Sequence, residues 1–105
     1  MEDPLLLDEL WSLIRQIPRG KVCTYGALGG ALSQPTTGFL IGRWMGHGNG
    51  PRDLPWWRVI AKSGMLPISK IDPVLGLEQA ELLRREGITV NDGLVDIAAF
   101  MWDPS

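Results

Sequence analysis

The chain has one cysteine, one histidine and one tyrosine in 105 residues, and these scarcities exclude a good deal of chemistry. A single thiol, Cys23, forms no internal disulfide. One cysteine and one histidine, His47, cannot supply the ligands of a multi-cysteine zinc site. No cofactor is expected. No apolar run approaches the roughly 20 residues that span a bilayer, and no charged-then-apolar leader is present. The expectation is a soluble monomer without a membrane role, cytoplasmic or, in a prokaryote, nucleoid-associated. Repeats, low-complexity segments and linkers are also lacking, and the length predicts one domain over residues 1–105 with a single core.

Net positive charge is missing too: 10 Lys and Arg face 12 Asp and Glu, for a net charge of −2. That balance alone speaks against a nucleic-acid partner, but its distribution does not. From Leu10 to Ile71 the cations Arg15, Arg19, Lys21, Arg43, Arg52, Arg58, Lys62 and Lys70 stand against Asp53 alone, a surplus of seven, and the two ends together carry −9. A basic face with an acidic back has this signature. Uneven scatter in a short chain gives the same count, so charge leaves the matter open.

Helical periodicity opens the chain. Asp3 and Pro4 make an N-cap and first helical position, and Leu6, Leu10, Leu13, Ile14 and Ile17 recur at helical spacing until Pro18 and Gly20 intervene. Thr24 caps a second, short helix from Tyr25 to about Leu32. After a turn at Ser33-Gln34-Pro35 a third helix runs from about Thr37 to His47, completing a helix-turn-helix. Gly38 and Gly42 on it permit close backbone approach. Residues 47–51 are loop by composition. Val59-Ile60 and Met65 to Ile68, joined through Lys62-Ser63-Gly64, predict a short hairpin or wing. A last helix from about Leu75 to Glu86 stops at Gly87. The expected fold is mainly α, winged-helix-like, with a helix-turn-helix and a short β-hairpin.

Residues 54–60 read Leu-Pro-Trp-Trp-Arg-Val-Ile. They resemble the signature Pro-Cys-His-Arg-Val of the O6-alkylguanine-DNA alkyltransferases, with Trp56 in place of the cysteine that accepts the alkyl group. Three further stretches match in the same order. Ile17 to Gly26 resembles the family's I-P-x-G-x-V-x-T/S-Y-G, Ile41-Gly42 its V-G, and Leu82 to Gly87 its L-L-x-x-E-G. The likeness covers about Leu10 to Val90, and Phe100 to Pro104 is similar to the tails of alkyltransferase-like proteins. In that subfamily the cysteine is typically Trp, and the damaged base is bound without repair.

The resemblance implies double-stranded DNA containing O6-alkylguanine as the partner, approached from the minor groove, with the lesion rotated into a pocket. It also implies nucleotide excision repair proteins as readers of the complex, for which the sequence itself shows no docking motif. Tyr25, Pro55, Trp56, Trp57, Arg58, Met65, Leu66 and Ile71 are the expected pocket residues. An indole has no thiolate form and an N–H that only donates, but it offers a flat face for a base. Most large aromatics simply pack; the motif around Trp56 favours the pocket. Trp57, where the signature has His, is assigned to packing or the rim, and Arg58 to holding the loop rather than touching the lesion. Met65, Leu66 and Pro67 make an apolar wall. Ile71, beside Lys70, falls where relatives carry a basic residue.

Thr24, Tyr25, Phe39, Gly42 and Arg43 are the expected DNA-contacting residues. Tyr25 crowds a phosphate at the pocket mouth, and Thr24 adds a hydroxyl contact while capping the helix. The family has Arg at the position of Phe39, to fill the gap left by the rotated base. Phe39 is an apolar wedge that cannot hydrogen-bond the orphaned partner, and Arg43, one turn along the same face, is expected to contact a phosphate or partly substitute for that arginine. His47 is a surface residue or phosphate contact. Two rival readings remain: a helix-turn-helix module for DNA or protein that no longer reads lesions, and an enzyme using Cys23, which needs an activating base or positive field.

Overall fold

The computed structural model describes residues 4–46, 53–66 and 73–104. Helix α1 (Pro4–Gln16) leads through a turn to strand β1 (Cys23–Thr24), helix α2 (Tyr25–Ala31) and helix α3 (Gly38–Gly46). A single 3-10 turn (Trp56–Arg58) precedes β2 (Val59–Ile60) and α4 (Pro73–Arg85). Strands β3 (Val90–Asn91) and β4 (Leu94–Val95) and the short helix α5 (Ile97–Phe100) close the chain. The architecture is mainly α around a helix-turn-helix, as the periodicity implies.

Helix α1 buries Leu10, Trp11 and Ile14 and ends at Gln16, followed by the buried Ile17 and then by Pro18. Helix α4 ends in a Schellman pair: Gly87 N–H donates to Arg84 O at 3.0 Å and Ile88 N–H to Leu83 O at 3.1 Å. Gly87 adopts the required left-handed φ of 86°, and the buried Leu83 and Ile88 supply the accompanying apolar contact.

The two-residue strands β1 and β2 pair in parallel, Cys23 with Val59 and Thr24 with Ile60. Alternation along them divides the core. Cys23 and Val59 join the cluster built by α1, α2 and α3, with Leu28, Leu32, Ile41, Trp44 and Leu54. Val22 and Ile60 join a second cluster with Leu66, Ala80, Leu83, Ile88, Val90 and Val95. The tail adds to the outer edge of β1: Val22 N–H donates to Phe100 O at 2.9 Å and Trp102 N–H to Val22 O at 2.8 Å.

Of the expected hairpin, Pro67 and Ile68 lie outside the described residues, and Val59-Ile60 pairs elsewhere. A tight turn does connect Ala61 to Met65 (Ala61 N–H to Met65 O, 3.1 Å), but the ladder partner of β2 is β1. The two-stranded hairpin is β3–β4, antiparallel, with Val90 opposite Val95. Its loop is Asp92-Gly93, both left-handed at φ 53° and 73°, the arrangement that matches strand twist. Met65 bridges Leu94 in antiparallel sense. At Gly64 a Cβ would come within 2.3 Å of Val95 O, so the approach of these two segments needs glycine.

Candidate nucleic-acid interface

Thr24 begins the helix-turn-helix. Its hydroxyl accepts Ala27 N–H at 3.2 Å, satisfying one of the free donors of the first turn. The turn between α2 and α3 is fixed from two sides. Thr36 N–H donates to Gly29 O at 3.0 Å, and a Cβ on Gly29 would lie 2.5 Å from Thr36 O. From α1, Glu9 accepts both the Ser33 amide and its hydroxyl, the latter at 2.7 Å. Gly38 then lets α3 nest on α2, where a Cβ would stand 2.8 Å from Gly26 N and 3.2 Å from Tyr25 C.

Helix α3 is capped by Thr37, whose hydroxyl accepts Leu40 N–H at 3.3 Å. It turns Ile41 and Trp44 inward and leaves Phe39 72% exposed. Arg43, one turn on, is also exposed. Gly42, between them, has open space where a Cβ would point, as do Gly26 and Gly30 on α2. Gly38 and Gly42 thus divide: Gly38 serves helix packing and Gly42 lies on the outer surface. Tyr25 is half-buried against the first cluster, and burial pushes its hydroxyl up to about 12, so it is a neutral phenol at physiological pH.

The Trp56 segment is rigid by construction. Pro55, buried, sits at φ −78° and ψ 63°, the centre of an inverse γ-turn closed by Trp56 N–H to Leu54 O at 2.8 Å. Proline's locked φ suits that position. Arg58 N–H then donates to Pro55 O at 3.0 Å. Trp56 is half-buried and meets Trp57 edge-to-face, centroids 6.1 Å apart and planes at 87°.

Glu86 anchors Trp57 and Arg58, the two residues after Trp56. Its carboxylate accepts Trp57 Nε1–H at 2.8 Å, Arg58 Nε–H at 3.0 Å and Nη2–H at 2.8 Å, and Gly20 N–H at 3.0 Å. Arg58 Nη1–H also reaches Ile17 O at 2.8 Å, and its guanidinium lies 5.5 Å from the Trp57 ring centroid. The side chains of Arg58 and Glu86 are 15% and 6% exposed. Burial alone would raise the Glu86 carboxyl; the Arg58, Gly20 and Trp57 bonds outweigh it and hold the group below its ordinary value. Gln79 on α4 donates to Trp57 O at 3.1 Å and Val59 O at 3.3 Å.

One expected pocket residue sits differently. Leu66 is 1% exposed within the second core cluster, so it is not a pocket wall. The Met65–Leu94 bridge and the Leu66 N–H bond to Gly93 O place this segment beside the hairpin, where alternation sends Leu66 inward. Met65, its neighbour, stays half-buried. Trp57 commits its N–H to Glu86, and Arg58 braces the loop rather than presenting its guanidinium at Trp56. Ile71, with Pro67, Lys70, His47 and Arg52, lies outside the described residues. Sequence reasoning assigns no role to Glu86 or Gln79. The available signals are an acid directly before the helix-stopping Gly87 and a glutamine in the apolar stripe of α4.

Cys23 is fully buried, and burial raises its thiol to about 11. It has neither the exposure nor the positive surroundings of a reactive cysteine. Among the described residues no cluster of His, Cys, Asp and Glu can hold a metal ion, and no helix is long and apolar enough to cross a membrane. The arrangement offers a rigid aromatic face at Trp56 and a glycine-floored helix face carrying Phe39 and Arg43.

The sequence model described as 6-O-methylguanine DNA methyltransferase, DNA binding domain, matches residues 6–88. A DNA base-flipping protein of Vibrio parahaemolyticus is 31% identical over 93% of this chain and 96% of its own length. A bifunctional methyltransferase/endonuclease of Thermoplasma volcanium is 33% identical over 84% of this chain, which spans 27% of that protein. In fold, the crystal structure of S. pombe Atl1 in complex with damaged DNA containing O6-carboxymethylguanine superposes with a TM-score of 0.84 at 24% identity, covering 97% of this chain and 98% of that one.

Proposed function

The chain belongs to the family of the 6-O-methylguanine DNA methyltransferase DNA-binding domain, and from that premise we propose that it recognises O6-alkylguanine in DNA by flipping the base against Trp56, without removing the alkyl group. Trp56 carries the reading. It stands where the alkyltransferase signature has its cysteine, and the inverse γ-turn at Pro55 holds it rigid. An indole accepts no alkyl group as a thiolate would, but its face stacks on a flat, desolvated base. The thiol that is present, Cys23, is sealed in the core.

The helix-turn-helix brings the rest. Thr24 and Tyr25 line the approach to the phosphate of the target nucleotide, Arg43 adds a cation to the backbone contact, and Phe39 enters the stack as the base leaves. A damaged base is easier to unstack, which supplies part of the selectivity. Since nothing is transferred, the complex serves as a flag, and nucleotide excision repair proteins are the readers. The domain, one unit over residues 1–105, acts on duplex DNA as a monomer in the cytoplasm or nucleoid.

The test uses a duplex with a labelled O6-methyl group and its unmodified twin. Tighter binding to the modified duplex is expected, with all label remaining on the DNA. Stoichiometric label on the protein would make it an alkyltransferase after all, as the name of the Thermoplasma relative would allow. Equal affinity for the two duplexes would leave only a general DNA- or protein-binding module.

A further inference from the structure

We propose that this protein reads the alkylated guanine but not the base opposite it, so that one site serves O6-alkylguanine paired with cytosine and O6-alkylguanine mispaired with thymine alike. The inference rests on the base-flipping reading above and concerns the gap that flipping leaves. A base swung out of the duplex orphans its partner, and the protein side chain that fills the gap is placed to interrogate that partner.

On the outer face of α3 two described side chains stand out, Phe39 at 72% exposure and Arg43. Gly42 between them, and Gly26 and Gly30 on α2, have nothing within 4 Å of a built Cβ, so the surface around Phe39 is backbone. The first turn of α3 packs directly on α2, where a Cβ on Gly38 would meet Gly26 N and Tyr25 C. Phe39 is the next residue, exposed near the entrance to α2.

Phenylalanine has neither donor nor acceptor, and stacking on a ring is tolerant of base identity. The groups able to hydrogen-bond are displaced or occupied. Arg43 is four residues on, about 6 Å along the helix axis at ~1.5 Å per residue, so its backbone stands a full turn from the wedge, and its cation is assigned to a phosphate. The Thr37 hydroxyl accepts the Leu40 N–H as the cap of the helix, two residues before Phe39. A gap filled in this way has nothing with which to tell cytosine from thymine.

The experiment measures affinity of the full chain for O6-methylguanine duplexes with cytosine, thymine or adenine opposite, and for an unmodified guanine–cytosine duplex. Flanking sequences are chosen to match melting temperatures, because a weaker pair opens more easily. Wild-type affinities for the matched cytosine and thymine duplexes are expected within about twofold, since stacking alone is sequence-tolerant. Phe39→Leu keeps the wedge apolar and is expected to keep that indifference. Phe39→Arg places a forked donor in the gap and is expected to create a preference of about tenfold for one opposing base. A wild-type preference of about tenfold between matched duplexes would overturn the inference, as would a Phe39→Arg variant that stays indifferent. Modified duplexes binding no tighter than the unmodified one would instead remove the lesion reading itself, whatever the opposing base does.

Discussion

Trp56 and Phe39 show how far a single side chain is legible before its surroundings are known. At Trp56 the loss of a nucleophile follows from residue type alone, and the structure adds the rigidity: the segment is pinned by Pro55 on one side and the Glu86 network on the other. Replacing Trp56 by Ala should weaken binding to O6-methylguanine DNA by roughly 1–3 kcal/mol, the range for one lost base–aromatic contact. Binding to undamaged DNA should change far less, as competition assays with the two duplexes would reveal; an equal fall in both would make Trp56 a packing residue. Phe39, a surface wedge by its place in the motif, is exposed at the head of α3. Leu66 is not legible as core because Met65, Leu66 and Pro67 form an apolar run without period, and only the bridge from Met65 to Leu94 decides which of two neighbours turns inward.

Gly38 and Gly42 of helix α3 sit in different surroundings, and their parts can be separated. Gly38→Ala puts a methyl 2.8 Å from Gly26 N, a backbone atom that cannot step aside, so α3 must shift on α2. We expect a loss of about 1–3 kcal/mol, typical of overpacking, in urea denaturation. Gly42→Ala meets open space and should stabilise the helix by about 0.5–1 kcal/mol, while weakening DNA binding where the duplex backbone approaches this surface. A Gly42→Ala protein with unchanged affinity would show that DNA does not come that close. Among the other elements, α1, α2 and α4 are readable to within a few residues because caps and stops sit at their ends. The hairpin is not, although Asn91-Asp92-Gly93 carries the turn chemistry; Val59-Ile60 and Met65 to Ile68 are the more apolar pair, but Val59-Ile60 pairs with β1 and Met65 bridges Leu94, both far away in sequence.

Taken whole, the domain is two small cores joined through β1 and β2, with Glu86 bridging the turn at Gly20 and the Trp57–Arg58 segment. This architecture predicts the pH limits of stability. Although burial opposes ionisation of Glu86, its bonds from Arg58, Gly20 and Trp57 hold the carboxyl below the ordinary value of 4.5. A depressed folded-state value means that the unfolded chain binds the extra proton first. The stabilisation is therefore complete above about pH 4.5 and lost as pH falls through the folded-state value. At the other end, burial raises Cys23 from 9.0 to about 11 and Tyr25 from 10.0 to about 12. Here the folded state holds its protons longer, so stability is full below pH 9 and declines as pH rises towards 11 and 12. Denaturant midpoints followed across pH should show both limbs, with Glu86→Gln flattening the acid one and Cys23→Ala the first part of the alkaline one. An acid limb unchanged by Glu86→Gln would place its origin in other carboxylates.

The helix-turn-helix, the family and a tryptophan rather than a thiol at position 56 are all legible in the amino-acid sequence. Each of these is local: a cap, a stop, a residue type at a fixed place in a short motif. It took the folded chain to decide that β2 pairs with β1 rather than with its neighbour, that Leu66 is core, that Gly38 packs on α2 while Gly42 stays open, and that Glu86 and Gln79 hold the Trp56 segment from the α4 side. The reason is the same in each case. Two-residue strands and single polar side chains have too little intrinsic preference to choose a partner, and the choice falls to burial and hydrogen-bond satisfaction between segments far apart in the chain.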